Sequence, residues 1–141
     1  MSGIELHYDV PGDDFTRAGE ASSDVKNKLK KLGYSIDATR RVAIAMYEGE
    51  INMVIHAGGG EADVEIQQDR VKVRLSDHGP GIADVQKAMQ AGYSTAPEKV
   101  RNLGFGAGMG LPNIAKCSDE FKIDTEVGKG TTLYFTVLAN K

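Results

Sequence analysis

Apolar and polar residues alternate from the start of the chain. Ile4, Leu6, Tyr8 and Val10 are separated by Glu5, His7 and Asp9, the period of a half-buried strand, and Pro11-Gly12 closes the run. From about Asp13 to Leu32 the period changes: Phe15, Ala18, Val25, Leu29 and Leu32 recur at helical spacing, and Gly33 supplies a stop. Asp37 is placed to cap a second helix over about 38–57, ended by Gly58-Gly59-Gly60. Period two then returns twice, in Ala62/Val64/Ile66 and in Val71/Val73/Leu75, with a turn near Asp69-Arg70, which predicts a hairpin. Residues 82–90 predict a short helix, 91–109 a long glycine-containing loop, and Pro112 the first turn of a helix running to about Ser118. Phe121/Ile123 and Leu133/Phe135/Val137 form a last hairpin around Gly128-Lys129-Gly130. Five strands paired mostly as hairpins, with helices over one face, predict an α+β fold, a two-layer sandwich.

The second helix conflicts with itself. Residues 42–55, VAIAMYEGEINMVI, are apolar nearly all round, which predicts a largely buried helix. Yet Glu48 and Asn52 stand one turn apart, about 40° round the axis, on one face. Arg41 and His56 extend that stripe, whereas Glu50 points about 200° away from Glu48 and is not part of it. A buried carboxylate without partners is costly, and local conflicts of this kind mark sites. The residues alone leave two readings: a site, or an internal network in which Glu48 pairs with Arg41 and Asn52 caps a neighbouring loop.

Composition narrows the classes. The 141 residues suit one domain spanning 1–141. A formal charge of −3, with no basic block, gives no reason to expect a nucleic-acid partner. No apolar run approaches the roughly 20 residues of a membrane span, and the N-terminus lacks the pattern of a signal peptide. With a single cysteine, Cys117, a disulfide framework is excluded and a reducing, cytoplasmic setting is expected. The three histidines, at 7, 56 and 78, do not form a zinc motif.

Seventeen glycines exceed ordinary usage of about 7% and gather at 58–60, 79–81, 104–110 and 128–130. Asp77-His78-Gly79-Pro80-Gly81 follows a strand directly; it reads as a plain turn, or as a carboxylate set to accept a hydrogen bond from an amino group beside exposed backbone. Gly104-Phe105-Gly106-Ala107-Gly108-Met109-Gly110-Leu111 precedes a helix. It reads as a solvent loop or as an anion site made of bare amides at a helix N-terminus. Neither a P-loop string nor a dinucleotide fingerprint is present.

Taken in order, Glu48-x-x-x-Asn52, Asp77-x-Gly79-x-Gly81, Gly106-x-Gly108-x-Gly110 and Gly130-Thr131 resemble the Bergerat-type (GHKL) ATP-binding superfamily over essentially the whole chain. Within it, Gly92-Tyr93-Ser94-Thr95 and Gly108-Met109-Gly110-Leu111-Pro112 are similar to the anti-sigma-factor and switch-protein serine kinases. The resemblance implies a mixed, mostly antiparallel five-stranded sheet and an ATP lid over about 83–109. It implies Asn52 as the side-chain ligand of Mg²⁺, and Glu48 as the base that takes the proton of a target serine. Asp77 would read the adenine amino group with Thr131 supporting it through water, and Gly79 and Gly81 would admit the base to the backbone. Gly106, Gly108 and Gly110, together with Met109 and Leu111, would contact the phosphates of ATP. Neither Lys99 nor Arg101 aligns with a phosphate-contacting position.

The resemblance therefore implies a Mg-ATP-dependent serine/threonine kinase of a bacterial partner-switching circuit, acting on a STAS-type anti-sigma-antagonist protein. Its alternative is a nucleotide-gated sequestering regulator, gripping a sigma factor or activating a serine phosphatase with little catalysis. A detached histidine-kinase domain is disfavoured, because no upstream hairpin bearing a phosphoacceptor histidine occurs in this chain. Monomer and homodimer both remain open.

Overall fold

A computed structural model describes residues 3–12, 18–82 and 110–139. In it the alternating runs become one five-stranded sheet. β1 (Ile4–Pro11), β2 (Gly59–Ile66), β3 (Arg70–Ser76), β4 (Glu120–Glu126) and β5 (Gly130–Leu138) lie in the order β1-β2-β3-β5-β4. All four pairings among the described residues are antiparallel, where a mixed, mostly antiparallel sheet was expected. β4 runs in the same direction as β3, but β5 inserts between them, so no parallel ladder forms among the described residues.

Register follows from period two. Ala62, Val64 and Ile66 sit opposite Leu75, Val73 and Val71, which in turn face Leu133, Phe135 and Val137, and all nine are buried. The other face is charged: Arg74 pairs with Asp63 at 3.4 Å, His7 with Asp63 at 2.7 Å, and Lys122 lies over the Tyr134 ring. A slip of one residue would exchange the two faces, so burial fixes the register.

Among the described residues three helices cover the apolar face: α1 (Glu20–Lys31), α2 (Ile36–Ala57) and α3 (Gly110–Cys117). Ser35, not Asp37, caps α2, its hydroxyl accepting the Ala38 N–H at 3.1 Å. Asp37 falls inside the first turn and pairs with Arg41 at 3.1 Å. Both side chains suit a cap, and the extended backbone at Ser35 decides between them. The helix ends at Gly58 in the left-handed region, as its glycine run predicts. α1 begins at Glu20 rather than near Asp13, after a turn at Ala18-Gly19. The short helix expected over 82–90 and the lid over 83–109 fall, from residue 83 on, outside the described residues.

α2 is the hub of the core. Ala38, Val42, Ala45, Met46, Met53 and Val54 are buried against the sheet and α1, but burial is not complete: Ile36, Ile44 and Tyr47 remain exposed on the outer side. Where α2 crosses β3, Gly49 removes the side chain that would otherwise separate them. A Cβ there would overlap Leu75 Cδ1 and lie 3.9 Å from Ile114 Cδ1. No helix of the described residues is long and apolar enough to cross a membrane.

Gly49→Ala gains about 1 kcal/mol of helix propensity but overpacks the crossing at a cost of about 1–3 kcal/mol. The expected net result is a lower urea midpoint, partly restored by adding Leu75→Val. A midpoint at or above wild type would show that the crossing is not tight.

Candidate functional site

The polar stripe of α2 is the face against which α3 lies. Near the start of α2, Arg41 Nη1 donates to the Cys117 carbonyl at 3.4 Å and to Asp119 Oδ2 at 3.2 Å; two turns on, Asn113 Nδ2 donates to Glu48 Oε1 at 3.4 Å. The two helices therefore run antiparallel. By the same spacing, half-buried Asn52, one turn beyond Glu48, falls level with the N-terminal end of α3. Arg41 also reaches Asp37 and the Leu138 carbonyl. The internal network imagined from the sequence, with Arg41 neutralising Glu48, is therefore not among the contacts of the described residues: Arg41 braces the far end of α3 instead. The His56 side chain lies outside the described residues.

Asp77 is held by β5. Its own N–H donates to the Thr131 carbonyl at 2.9 Å, while its Oδ1 accepts the N–H groups of Gly79 at 3.0 Å and Thr131 at 3.1 Å. Among the described residues both of these bonds fall on Oδ1, which leaves Oδ2 for a donor from outside. Gly81 has φ of +78°, and a Cβ there would overlap the Glu126 carbonyl. Its glycine is thus demanded first by the fit of the loop against the β4–β5 turn.

Thr131 supports Asp77 through its backbone. Its hydroxyl turns away, to the Thr125 hydroxyl at 2.8 Å; Thr125 also accepts the Ile82 N–H at 2.9 Å and donates to the Gly130 carbonyl at 3.2 Å. Thr125 anchors the loop and was not singled out in the sequence, although a polar residue in step with Phe121 and Ile123 on the inward face of β4 is a usable signal. Asn113 carried no such signal, being one polar residue in a short helix. Of the other residues expected in the site, Gly110 and Leu111 open α3, and Leu111 is buried. Gly106, Gly108 and Met109 lie outside the described residues, as do Lys99 and Arg101.

Glu50, on the opposite side of α2, is 1% exposed and serves a different end. Oε2 accepts the Gly19 N–H at 2.8 Å and Oε1 the Ser22 N–H at 2.7 Å, so this carboxylate caps α1, which has no side-chain cap of its own. Burial pushes its pKa up, and the two N–H donors only partly oppose that. Burial likewise pushes up the Cys117 thiol, although the nearby Arg41 charge pulls it down.

Because the folded-state pKa of Glu50 is raised, its contribution to stability is present below the ordinary glutamate range and is lost as pH rises through the raised value. Glu50→Gln keeps one acceptor and should cost about 1–3 kcal/mol. Denaturation at a series of pH values from about 4 upward should show the gap to wild type narrowing as pH rises. A widening gap would reverse the assignment.

Known proteins resemble this chain. The histidine kinase-like ATPase domain family matches residues 13–137. A serine/threonine-protein kinase, RsbT, of Bacillus subtilis is 33% identical over 112 residues, covering 77% of this chain and 78% of that protein. An anti-sigma F factor of Geobacillus thermodenitrificans is 30% identical over 112 residues, covering 75% of this chain and 73% of that one. A crystal structure of the RsbU and RsbW domains of a Mycobacterium tuberculosis protein superposes with a TM-score of 0.65 at 16% identity. It covers 98% of this chain, which spans 33% of that larger one, and at that identity the likeness concerns the fold.

Proposed function

Because the chain belongs to the histidine kinase-like ATPase domain family, we propose that it is a Mg-ATP-dependent serine/threonine kinase of a bacterial partner-switching circuit, acting on a STAS-type antagonist protein. The observation that carries this reading is the pairing of Glu48 with Asn52, one turn apart on a helix held against the sheet at Gly49, with α3 along the same face. Rigid spacing matters here, because phosphoryl transfer asks the protein mainly for positioning and electrostatic stabilisation.

The donor set suits the cofactor. An amide oxygen from Asn52 is a hard, neutral ligand of the kind magnesium accepts alongside phosphate oxygens and water. Bound there, the ion would neutralise charge on the phosphates. Asp77, with Oδ1 occupied by backbone N–H groups, offers Oδ2 to the adenine amino group. Thr131 and Thr125 hold the loop that carries Asp77. Gly110 and Leu111, with Gly106, Gly108 and Met109 ahead of them, supply the amides for the phosphates. Glu48 would take the proton from the attacking serine hydroxyl.

A second reading is supported by the relatives named anti-sigma F factor. It makes the chain a nucleotide-gated regulator that grips a sigma factor or acts on a serine phosphatase. Sequestration has no use for a base at Glu48, so the Glu48 variant separates the two.

With γ-labelled ATP and a STAS-type protein from the same genome, Glu48→Ala is expected to bind Mg-ATP normally and lose transfer by about 10²–10⁴-fold. Asn52→Ala should weaken magnesium-dependent ATP binding by on the order of tenfold or more. Asp77→Asn retains an Oδ1 for both backbone donors, so the fold should persist while ATP affinity falls about tenfold or more. Transfer at the wild-type rate by Glu48→Ala would remove the assigned base. A thermal shift with GTP equal to that with ATP would remove the adenine role of Asp77.

A further inference from the structure

Glu48 is reached by the first turns of α3, and two contacts further along the helix fix the approach. Ile114, next to Asn113, is fully buried and lies against the bare backbone of Gly49, next to Glu48. One turn further along α3, the Cys117 carbonyl is held by Arg41. Just ahead of these anchors, the half-buried Asn113 amide points at the Glu48 carboxylate, Nδ2 to Oε1, at 3.4 Å. Chemistry sets the orientation: a carboxylate accepts only, so the amide must present its nitrogen. The bond is long for N–H···O, and hydrogen bonds of this kind commonly tighten when the reactants are bound.

We propose that Asn113 is a positioning residue, whose amide holds one oxygen of Glu48, turns the other toward the acceptor hydroxyl, and ties that orientation to the placement of α3. The inference rests on Glu48 acting as the base. It adds a link from the helix that follows the glycine-rich segment to the group that moves the proton. An aliphatic side chain at 113 would leave α3 in place, held by Ile114 and Arg41, and lose only the orientation of the carboxylate.

The test uses Asn113→Ala and the nearly isosteric Asn113→Asp, with Glu48→Gln alongside. Transfer from Mg-ATP to the STAS-type protein, the dissociation constant of Mg-ATP and the melting temperature are measured for each, and the titration of Glu48 by carboxyl-detected NMR without nucleotide for wild type and the two Asn113 variants. Asn113→Ala is expected to slow transfer by on the order of tenfold while leaving the dissociation constant within about twofold, since base orientation enters the chemical step rather than ground-state binding. Asn113→Asp places a like charge against Glu48 and should raise its titration midpoint by roughly one pH unit. An unmoved midpoint in Asn113→Asp, or wild-type transfer by Asn113→Ala with Glu48→Gln inactive, would overturn the positioning role alone. Wild-type transfer by Glu48→Gln would overturn the base assignment and this inference with it.

Discussion

A helix packed on three sides can carry polar groups only where a neighbour supplies the partners that water no longer can. α2 is that helix, and its neighbours are arranged to meet the requirement. Glu50 is met by the backbone at the start of α1 and Arg41 by the backbone at the end of α3, while Glu48 meets a side chain in the first turns of α3. The positions of α1 and α3 are thus set as much by the polar residues of α2 as by its apolar ones. Gly49 completes the arrangement by letting β3 approach the helix axis.

This division explains why the two acidic residues flanking Gly49 have different fates. Glu50 is buried, and both oxygens are used by main-chain donors, which makes it a structural cap. Glu48 is half-buried and, among the described residues, has a single long contact from a side chain, which leaves it able to engage something else. Environment, rather than residue type, separates a strut from a carboxylate left open to a partner. The same contrast holds within Asp77, where, among the described residues, one oxygen is committed to the fold and the other is not.

The strands were legible because period two is a local signal: each inward residue of β2, β3 and β5 lies where alternation puts it. The stripe of Glu48 and Asn52 was legible for a similar reason, since polar residues in an apolar helix violate a simple pattern. What was not legible depends on tertiary contact. Ser35 and Asp37 both carry capping side chains, and only the backbone at Ser35 tells them apart. The start of α1 at Glu20 is imposed by a carboxylate 31 residues from Gly19, which no window along the chain contains. Asn113 acquires meaning only from the helix beside it. That the β sheet has no parallel pair in the described residues reflects the insertion of β5, a matter of strand order that alternation does not encode.

The borrowed cap of α1 has a consequence for how the chain assembles. A helix of twelve residues with a left-handed glycine at its N-cap and no side-chain cap there is a poor independent nucleus. Its first turn becomes worth forming once Glu50 arrives, already carried on a helix with its own serine cap and glycine stop. α1 therefore depends on α2 for its first turn, and displacing that turn would strip Glu50 of both main-chain donors and expose it to water.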